Sequence, residues 1–252
     1  MPLEDLRSLL ESLGKPRGWD LSALHDDCDP VPWSYQDIAR RYLSPLHRVL
    51  DIGTGSGEHF LALADYFGSG VGIDADPEMI ALAEENTPSA MSCRVKFLAM
   101  DAAALEFPAA SFDVVLARHA PAAPAEVARV LRPGGVFITQ QIGARNHHNI
   151  IALFGCGPDG RYRSDPSQTV AAWAEAFAAL GCAVRARGEY DVPYFYQDTA
   201  SFLLWMRAVP VPEDFTIERH WPQIDRILRE FQTPRGIATN VHRKLLIVQK
   251  PG

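Results

Sequence analysis

The sequence predicts an α/β fold built on a doubly wound, mostly parallel β-sheet. Five short runs of mainly apolar, strand-forming residues lie between residues 47 and 140, and helical stretches separate them. Nearly unbroken apolar runs of this length are typical of strands covered on both faces. Strands that alternate with helices indicate parallel pairing with right-handed crossovers. The predicted strands are residues 47–52, 70–74, 94–100, 112–117 and 135–140.

The stretches between these strands carry helix signals. Glu58–Phe67 follows a glycine-rich turn. Pro77–Glu85 begins with Asp76 as a predicted N-cap and with proline at its first position. The helix Ala122–Leu131 is predicted to stop at the Arg-Pro-Gly-Gly sequence that follows it.

After residue 140 the alternation becomes less regular. A helix at 168–180 and strands at 182–190 and 242–249 complete a seven-stranded sheet. Residues 191–236 are rich in proline and aromatic side chains, and we expect them to form a helical insertion that acts as a lid. Its two helices are predicted near residues 198–207 and 217–231.

The expected domain organisation is an N-terminal helical cap, residues 1–46, followed by one α/β domain, residues 47–252, that carries the insertion. The amphipathic N-terminus lacks the basic start and apolar core of a signal peptide, and no window approaches the ~20 apolar residues of a membrane span. We therefore expect a cytoplasmic protein with no membrane association. The sequence leaves the oligomeric state open, with a homodimer as one option.

Composition narrows the class of partner. The 252 residues have a formal net charge of −7 and are 47% hydrophobic, as in a soluble globular protein. A protein that neutralises many phosphates usually carries a strong basic face, so nucleic acid is a disfavoured partner. The four cysteines lie far apart without a CxxC pair, which predicts neither a zinc site nor a disulfide framework, and we expect no metal.

The stretch VLDIGTGSGEHF, residues 49–60, contains the glycine-rich turn. No lysine follows its glycines, so it is not a phosphate-binding P-loop. The dinucleotide pattern GxGxxG fails because Glu58 or Phe60 stands where the third glycine is required, and an acid in that first helical turn repels a pyrophosphate. The pattern acid-x-Gly-x-Gly-x-Gly favours close backbone approach by a ligand with an ammonium group, such as S-adenosylmethionine.

Four stretches in register resemble the motifs of class I S-adenosylmethionine-dependent methyltransferases. They are residues 49–60, 71–80, 100–119 and 126–139. The resemblance covers about residues 47–140 and implies a Rossmann-like sheet with the cofactor at the carboxyl ends of its strands.

The resemblance also implies roles for individual residues. Asp74 would bind the ribose hydroxyls, Asp101 the adenine amino group, and the backbone at Ala102 the adenine ring nitrogens. Asp51 would hold the glycine loop and the methionine amino group, partly through water. Arg118 would bind the methionine carboxylate or pair with a surface acid. The implied cofactor-binding residues are Asp51, Gly53, Thr54, Gly55, Gly57, Asp74, Ala75, Asp101, Ala102 and Arg118.

Methyl transfer to a hydroxyl acceptor requires a base with a pKa near the working pH. His119 follows the fourth predicted strand and is the candidate catalytic base, because histidine titrates in that range. The alternative is a histidine that lines the site without transferring a proton. In the sequence ARNHHNI, Asn146 is predicted to cap a helix and His147 and His148 to lie on its surface.

Two segments are expected to close the site over the acceptor, residues 18–43 and residues 189–206. The second contains an aromatic cluster that suits a small, partly apolar acceptor, although the rings could instead pack the insertion onto the sheet. Asp198 could orient the acceptor or cap the following helix. The candidate acceptor-binding residues are Tyr35, Gln141, Tyr194, Tyr196 and Asp198.

The predicted function is methyl transfer from S-adenosylmethionine to a small-molecule acceptor, with S-adenosylhomocysteine as product. Three alternatives stay open: a methyltransferase of RNA or another macromolecule, a protein that binds S-adenosylmethionine without catalysis, and an NAD(P)-dependent oxidoreductase. The basic residues of the last 52 positions, 8 Lys and Arg against 5 Asp and Glu, keep the first alternative open. The acceptor, its reacting atom and its pathway are not predicted.

Overall fold

The computed structural model describes residues 2–14, 18, 21–157, 169–209 and 211–252. The chain forms two compact units. The first comprises Met1–Pro32, Gly143–Ser164 and Tyr190–His242, and the second comprises Trp33–Ile142, Asp165–Glu189 and Arg243–Gly252. The domain division predicted from the sequence stays a prediction, and residues 1, 15–17 and 19–20 of the predicted cap lie outside the described residues.

The helices and strands follow one another along the described chain, and their bounds are as follows. They are α1 (Leu3–Ser12), β1 (Asp26–Cys28), α2 (Tyr35–Tyr42), β2 (Arg48–Ile52), α3 (Glu58–Leu61), β3 (Ser69–Asp74), α4 (Pro77–Glu85), β4 (Val95–Ala99), β5 (Phe112–Arg118), α5 (Pro124–Val130), β6 (Leu131–Ile142), α6 (His148–Leu153), α7 (Val170–Ala179), β7 (Ala183–Tyr196), α8 (Thr199–Ala208), α9 (Ile217–Glu230), β8 (Gln232–Thr233) and β9 (Gly236–Gln249).

The sheet of the second unit has the strand order β7-β9-β6-β5-β2-β3-β4, which confirms the seven predicted strands. Strands β4, β3, β2, β5 and β6 pair in parallel, and β9 runs antiparallel to β6. Strand β2 has β3 on one side and β5 on the other, so the chain reverses its direction of winding here. Ligands of such sheets bind at this switch, beyond the carboxyl ends of the strands.

Helices cover both faces of this sheet, as the apolar strands predict. One buried cluster joins Leu50 and Ile52 to Trp173 and Phe177 of α7. The opposite face joins residues such as Val49 to side chains of α2, α3 and α4. Alternate residues of one strand therefore enter different cores, as expected for a strand buried on both faces.

Several predicted bounds are corrected by the structure. The helix predicted over 58–67 stops at Leu61, and a 3₁₀ turn follows at Ala64–Tyr66. The Arg94 guanidinium satisfies the carbonyl oxygens of Ala64 and Phe67 here, so the α-helical bonds are not needed. The helix predicted from residue 168 begins at Val170, and residue 168 lies outside the described residues.

The first unit has its own aromatic core, which includes Tyr196, Phe202 and Trp205. The helices predicted in the insertion are confirmed as α8 and α9. Two short strands that the sequence reading missed also lie here: β1 pairs antiparallel with β7, and β8 pairs with β9. Arg235 fastens the segment around β1, because it forms ion pairs with Asp27 at 2.8 Å and with Asp29 at 2.7 Å.

Candidate cofactor-binding site

The glycine loop between β2 and α3 adopts a backbone that glycine accommodates and other residues resist. Gly53, Gly55 and Gly57 have φ angles of 67°, 56° and 85°. A Cβ atom on Gly53 would lie 2.1 Å from Cβ of Ala120, and one on Gly57 would lie 3.0 Å from the ring of Phe97. The glycines are therefore required both by backbone conformation and by close packing.

Asp74, at the carboxyl end of β3, lies against this loop. Its Oδ2 accepts a hydrogen bond from the Gly55 amide at 2.9 Å, and its Oδ1 accepts one from the Asp76 amide at 3.0 Å. The Thr54 amide donates to the Ile73 carbonyl oxygen at 2.9 Å. These bonds fix the carboxylate and the loop together. Each carboxylate oxygen retains a second lone pair for a ligand hydroxyl.

Asn86, directly after α4, braces the loop from the other side and was missed in the sequence reading. Its Nδ2 donates to the Ser56 carbonyl oxygen at 2.9 Å. The Ser56 hydroxyl donates to Glu58 at 3.0 Å, which holds this carboxylate in the first turn of α3. Glu58 thus acts as a partner of the helix N-terminus, where a negative charge is stabilising.

Asp101 and Ala102 follow β4, and Ala75 follows β3, so these predicted cofactor residues lie at the same edge of the sheet. Asp101 is exposed, and its Oδ1 accepts from the Ala103 amide at 2.8 Å. This bond orients the carboxylate at the start of the loop.

Asp51 of β2 is the buried acid of the site, with 8% of its surface exposed. Burial raises the pKa of its carboxyl to about 7, although the Thr54 hydroxyl and the Arg118 guanidinium oppose this rise. Burial and the Asp51 charge raise the pKa of the neighbouring Tyr35 well above its ordinary range. Asp51 therefore exchanges its proton near neutral pH.

His119 lies just after β5 in a strained conformation, with φ of 56°. Its amide donates to the Gln140 carbonyl oxygen at 2.9 Å, and among the described residues its buried Nε2 has no hydrogen-bond partner. Burial lowers its pKa to about 2, aided by the charges of Arg118 and Arg243. The ring is neutral at physiological pH, and so low a pKa is unfavourable for a general base.

Two adjacent glutamines at the carboxyl end of β6 hold neighbouring segments. The Gln140 side chain accepts from Trp33 Nε1 at 3.0 Å. Gln141 Nε2 donates to the Ala120 carbonyl oxygen at 2.9 Å and to the Thr139 hydroxyl at 2.8 Å. The sequence reading placed Gln141 against the acceptor, whereas the structure directs its amide into the fold. The Gln140–Trp33 bond was not anticipated.

Other acceptor candidates have internal partners too. Tyr35 is 7% exposed and its hydroxyl donates to the Ile138 carbonyl oxygen at 3.4 Å. In the first unit, Asp198 caps α8 through the Ser201 amide at 2.7 Å and pairs with His25 at 3.1 Å. The capping alternative for Asp198 is thus confirmed.

The prediction that His147 lies on a helix surface is wrong. It is 3% exposed and precedes α6, where it takes the cap position predicted for Asn146. Its Nδ1 lies 2.9 Å from the Asn240 carbonyl oxygen, and its Nε2 lies 2.7 Å from the Tyr196 hydroxyl. Since a carbonyl only accepts, Nδ1 donates there, and in the neutral ring Nε2 accepts from Tyr196. Tyr194 stacks on the same imidazole with ring centres 5.8 Å apart, so both tyrosines belong to the core of the first unit.

The glycine loop, Asp74 and Asp101 lie within one recognised family domain. Residues 49–135 match the family model described as a methyltransferase domain. This part of the chain is a class I S-adenosylmethionine-dependent methyltransferase domain. The motif assignment made from the sequence is thereby confirmed.

Relatives of known sequence extend this finding. The chain is 38% identical over 99 residues to the uncharacterized methyltransferase YcgJ of Bacillus subtilis, an alignment covering 36% of this chain and 39% of that protein. It is 36% identical over 120 residues to 2-methyl-6-phytyl-1,4-hydroquinone methyltransferase of Synechocystis, covering 44% of this chain and 37% of the relative. It is 37% identical over 143 residues to demethylmenaquinone methyltransferase of Thermus thermophilus, covering 53% and 58%. The chain thus spans less than two thirds of each.

The crystal structure of YcgJ resembles this fold with a TM-score of 0.63 and 22% identity, covering 86% of this chain and 98% of that one. This likeness confirms the Rossmann-like fold class. Within the described part of the chain, every helix is too short or too polar to span a membrane. In the same part, His, Cys, Asp and Glu residues form no group of three that could hold a metal ion.

We predict that Gly53→Ala destabilises the protein more than Gly134→Ala does. Both glycines have positive φ angles, 67° and 76°, but a Cβ on Gly134 meets open space. The difference in free energy of unfolding should be about 1–3 kcal/mol, a typical cost of overpacking. Urea denaturation measures it. Adding Ala120→Gly should recover most of the loss, and equal effects of the two single changes would contradict the contact.

Proposed function

We propose that the protein is an S-adenosylmethionine-dependent methyltransferase that acts on a small-molecule acceptor. The observation that carries this proposal is the glycine loop bonded to the Asp74 carboxylate at the switch point of a methyltransferase domain. S-adenosylmethionine, when bound, supplies a methyl group that its sulfonium already activates. The protein is left to bind, orient and exclude water.

The described residues fit this cofactor. We propose that Asp74 accepts the ribose hydroxyls with its remaining lone pairs, and that Asp101 accepts the adenine amino group. Gly53, Gly55 and Gly57 permit backbone approach, beside Thr54. The wider cofactor set proposed from the resemblance also includes Ala75, Ala102 and Arg118.

Asp51 is proposed to face the α-amino group of the cofactor. Its burial makes the free protein hold this carboxyl partly protonated near neutral pH. A neighbouring ammonium favours the ionised form, so binding and ionisation are linked. His119 is proposed to line the reacting region as a neutral ring, which can accept or donate one hydrogen bond without taking up a full charge. Its role as a base stays a prediction that its lowered pKa disfavours.

The small-molecule acceptor is supported by the names of two relatives, which act on a hydroquinone and on demethylmenaquinone. The net charge of −7 is unfavourable for a nucleic acid acceptor. We propose a phenolic or quinol-type acceptor as the first class to test.

Replacing the ribose acid tests the cofactor orientation. Asp74→Ala should weaken S-adenosylhomocysteine binding by roughly 10- to 100-fold, because it removes acceptors of charged hydrogen bonds. Isothermal titration calorimetry measures the affinity. Asp76→Ala is the matched control, since Asp76 also accepts a backbone amide, from Glu78 at 2.8 Å, as the α4 cap. NAD binding by the wild type, without S-adenosylhomocysteine binding, would refute the proposed function.

The ionisation of Asp51 predicts a pH dependence of cofactor affinity. Binding of the ammonium requires the carboxylate, so protonation competes below the raised pKa of about 7. The affinity for S-adenosylhomocysteine should rise from pH 5.5 to pH 7.5, at most ~10-fold per unit, and then level off. Asp51→Asn should bind more weakly and lose this slope. A wild-type affinity independent of pH would place the amino group elsewhere.

A transfer assay tests the acceptor class. We expect label from methyl-labelled S-adenosylmethionine to enter low-mass products when the protein is given a panel of quinols and phenols. RNA and protein fractions of a cell extract serve as comparison acceptors. Label found only in those macromolecular fractions would overturn the small-molecule assignment while leaving the cofactor assignment intact.

A further inference from the structure

We propose that Gln141 is a positioning residue that holds the loop Arg118–Ala120 against the glycine loop and thereby sets the affinity for the cofactor. Both hydrogens of its amide have internal partners, the Ala120 carbonyl oxygen at 2.9 Å and the Thr139 hydroxyl at 2.8 Å. An amide with both donors used in this way is suited to fixing backbone rather than to recognising an acceptor.

The carbonyl that Gln141 binds belongs to the residue that touches the glycine loop. Ala120 is 7% exposed, and its Cβ fills the space that Gly53 leaves open, since an added Cβ there would lie 2.1 Å away. A shift of the Ala120 backbone therefore changes the gap beside Gly53 directly. The glycine loop in turn is bonded to Asp74, the proposed ribose ligand, through Gly55.

The loop needs such support because its backbone is strained. His119 has a φ of 56°, which costs free energy for a non-glycine residue and persists only where surroundings impose it. β6 supplies two bonds that flank this residue. The Gln140 carbonyl accepts from the His119 amide at 2.9 Å, and the Gln141 side chain binds the next carbonyl. Without Gln141, the Ala120 carbonyl would lose its side-chain donor in a buried position.

This role presupposes that the site binds S-adenosylmethionine as proposed above. The test compares Gln141→Met with Gln249→Met. Gln249 is also half-buried, and its Nε2 donates to the Gly134 carbonyl oxygen at 2.9 Å beside the first residues of β6, far from the glycine loop along the strand. Both changes remove an amide-to-carbonyl bond with little change in shape, so both should lower the free energy of unfolding.

Only Gln141→Met should change binding. We expect its dissociation constant for S-adenosylhomocysteine, measured by calorimetry at a temperature where all variants are folded, to rise about tenfold, as for one lost bond of average strength. Gln249→Met should keep the wild-type constant. A wild-type protein that fails to bind S-adenosylhomocysteine would refute the proposed function. Wild-type binding with an unchanged constant in Gln141→Met, or an equal loss in both variants, would overturn the positioning role.

A double-mutant cycle tests the route through Ala120. Ala120→Gly removes the methyl group that meets Gly53. If Gln141 acts through this contact, Gln141→Met should weaken binding much less in the Ala120→Gly background than in the wild type, since contacting residues couple. Fully additive effects on the dissociation constant would show that Gln141 acts by another route and would overturn the proposal.

Discussion

The close approach of two loops, one after β2 and one after β5, is the constraint on which the site depends. Ala120 occupies the space where any residue larger than glycine at position 53 would place its Cβ. This contact draws the chain after β5 to the turn after β2, between neighbouring parallel strands. The glycine conformation, the Gly55–Asp74 hydrogen bond and the strained His119 backbone all follow from fitting two chain segments into one narrow space.

The electrostatics of the site depend on one arginine in a buried environment. Burial dominates the pKa shifts of Asp51, His59 and His119, and the Arg118 charge lowers the pKa in each case. The imidazoles are thereby kept neutral, while the acid is left near half ionisation at neutral pH. A polar site prepared in this way gains its full charge only when a ligand supplies the opposite one. Its affinity then depends on the ligand's ammonium more than on apolar contact area.

The sequence predicts the parallel strands and the family motifs well, because both are local patterns. Alternating apolar runs identify β2, β3 and β5, and the glycine spacing identifies the cofactor loop. Asn86 and Gln141 could not be found in this way, since each acts on a carbonyl oxygen far along the chain and a glutamine or asparagine has no distinctive local signature. His147 was misread for the same reason: its partners Asn240 and Tyr196 are set by packing of distant segments.

The segments of the first unit are far apart in the chain, which has a consequence for how the protein is made. Asp29 meets Arg235 across a separation of 206 residues, and the Leu10 carbonyl meets Arg207 across 197. Such long closures are entropically costly and slow. The five parallel strands, by contrast, lie within Trp33–Ile142 and can pair as soon as that stretch has left the ribosome. We expect α1 and β1, synthesised before the parallel strands, to be among the last elements to gain their tertiary partners.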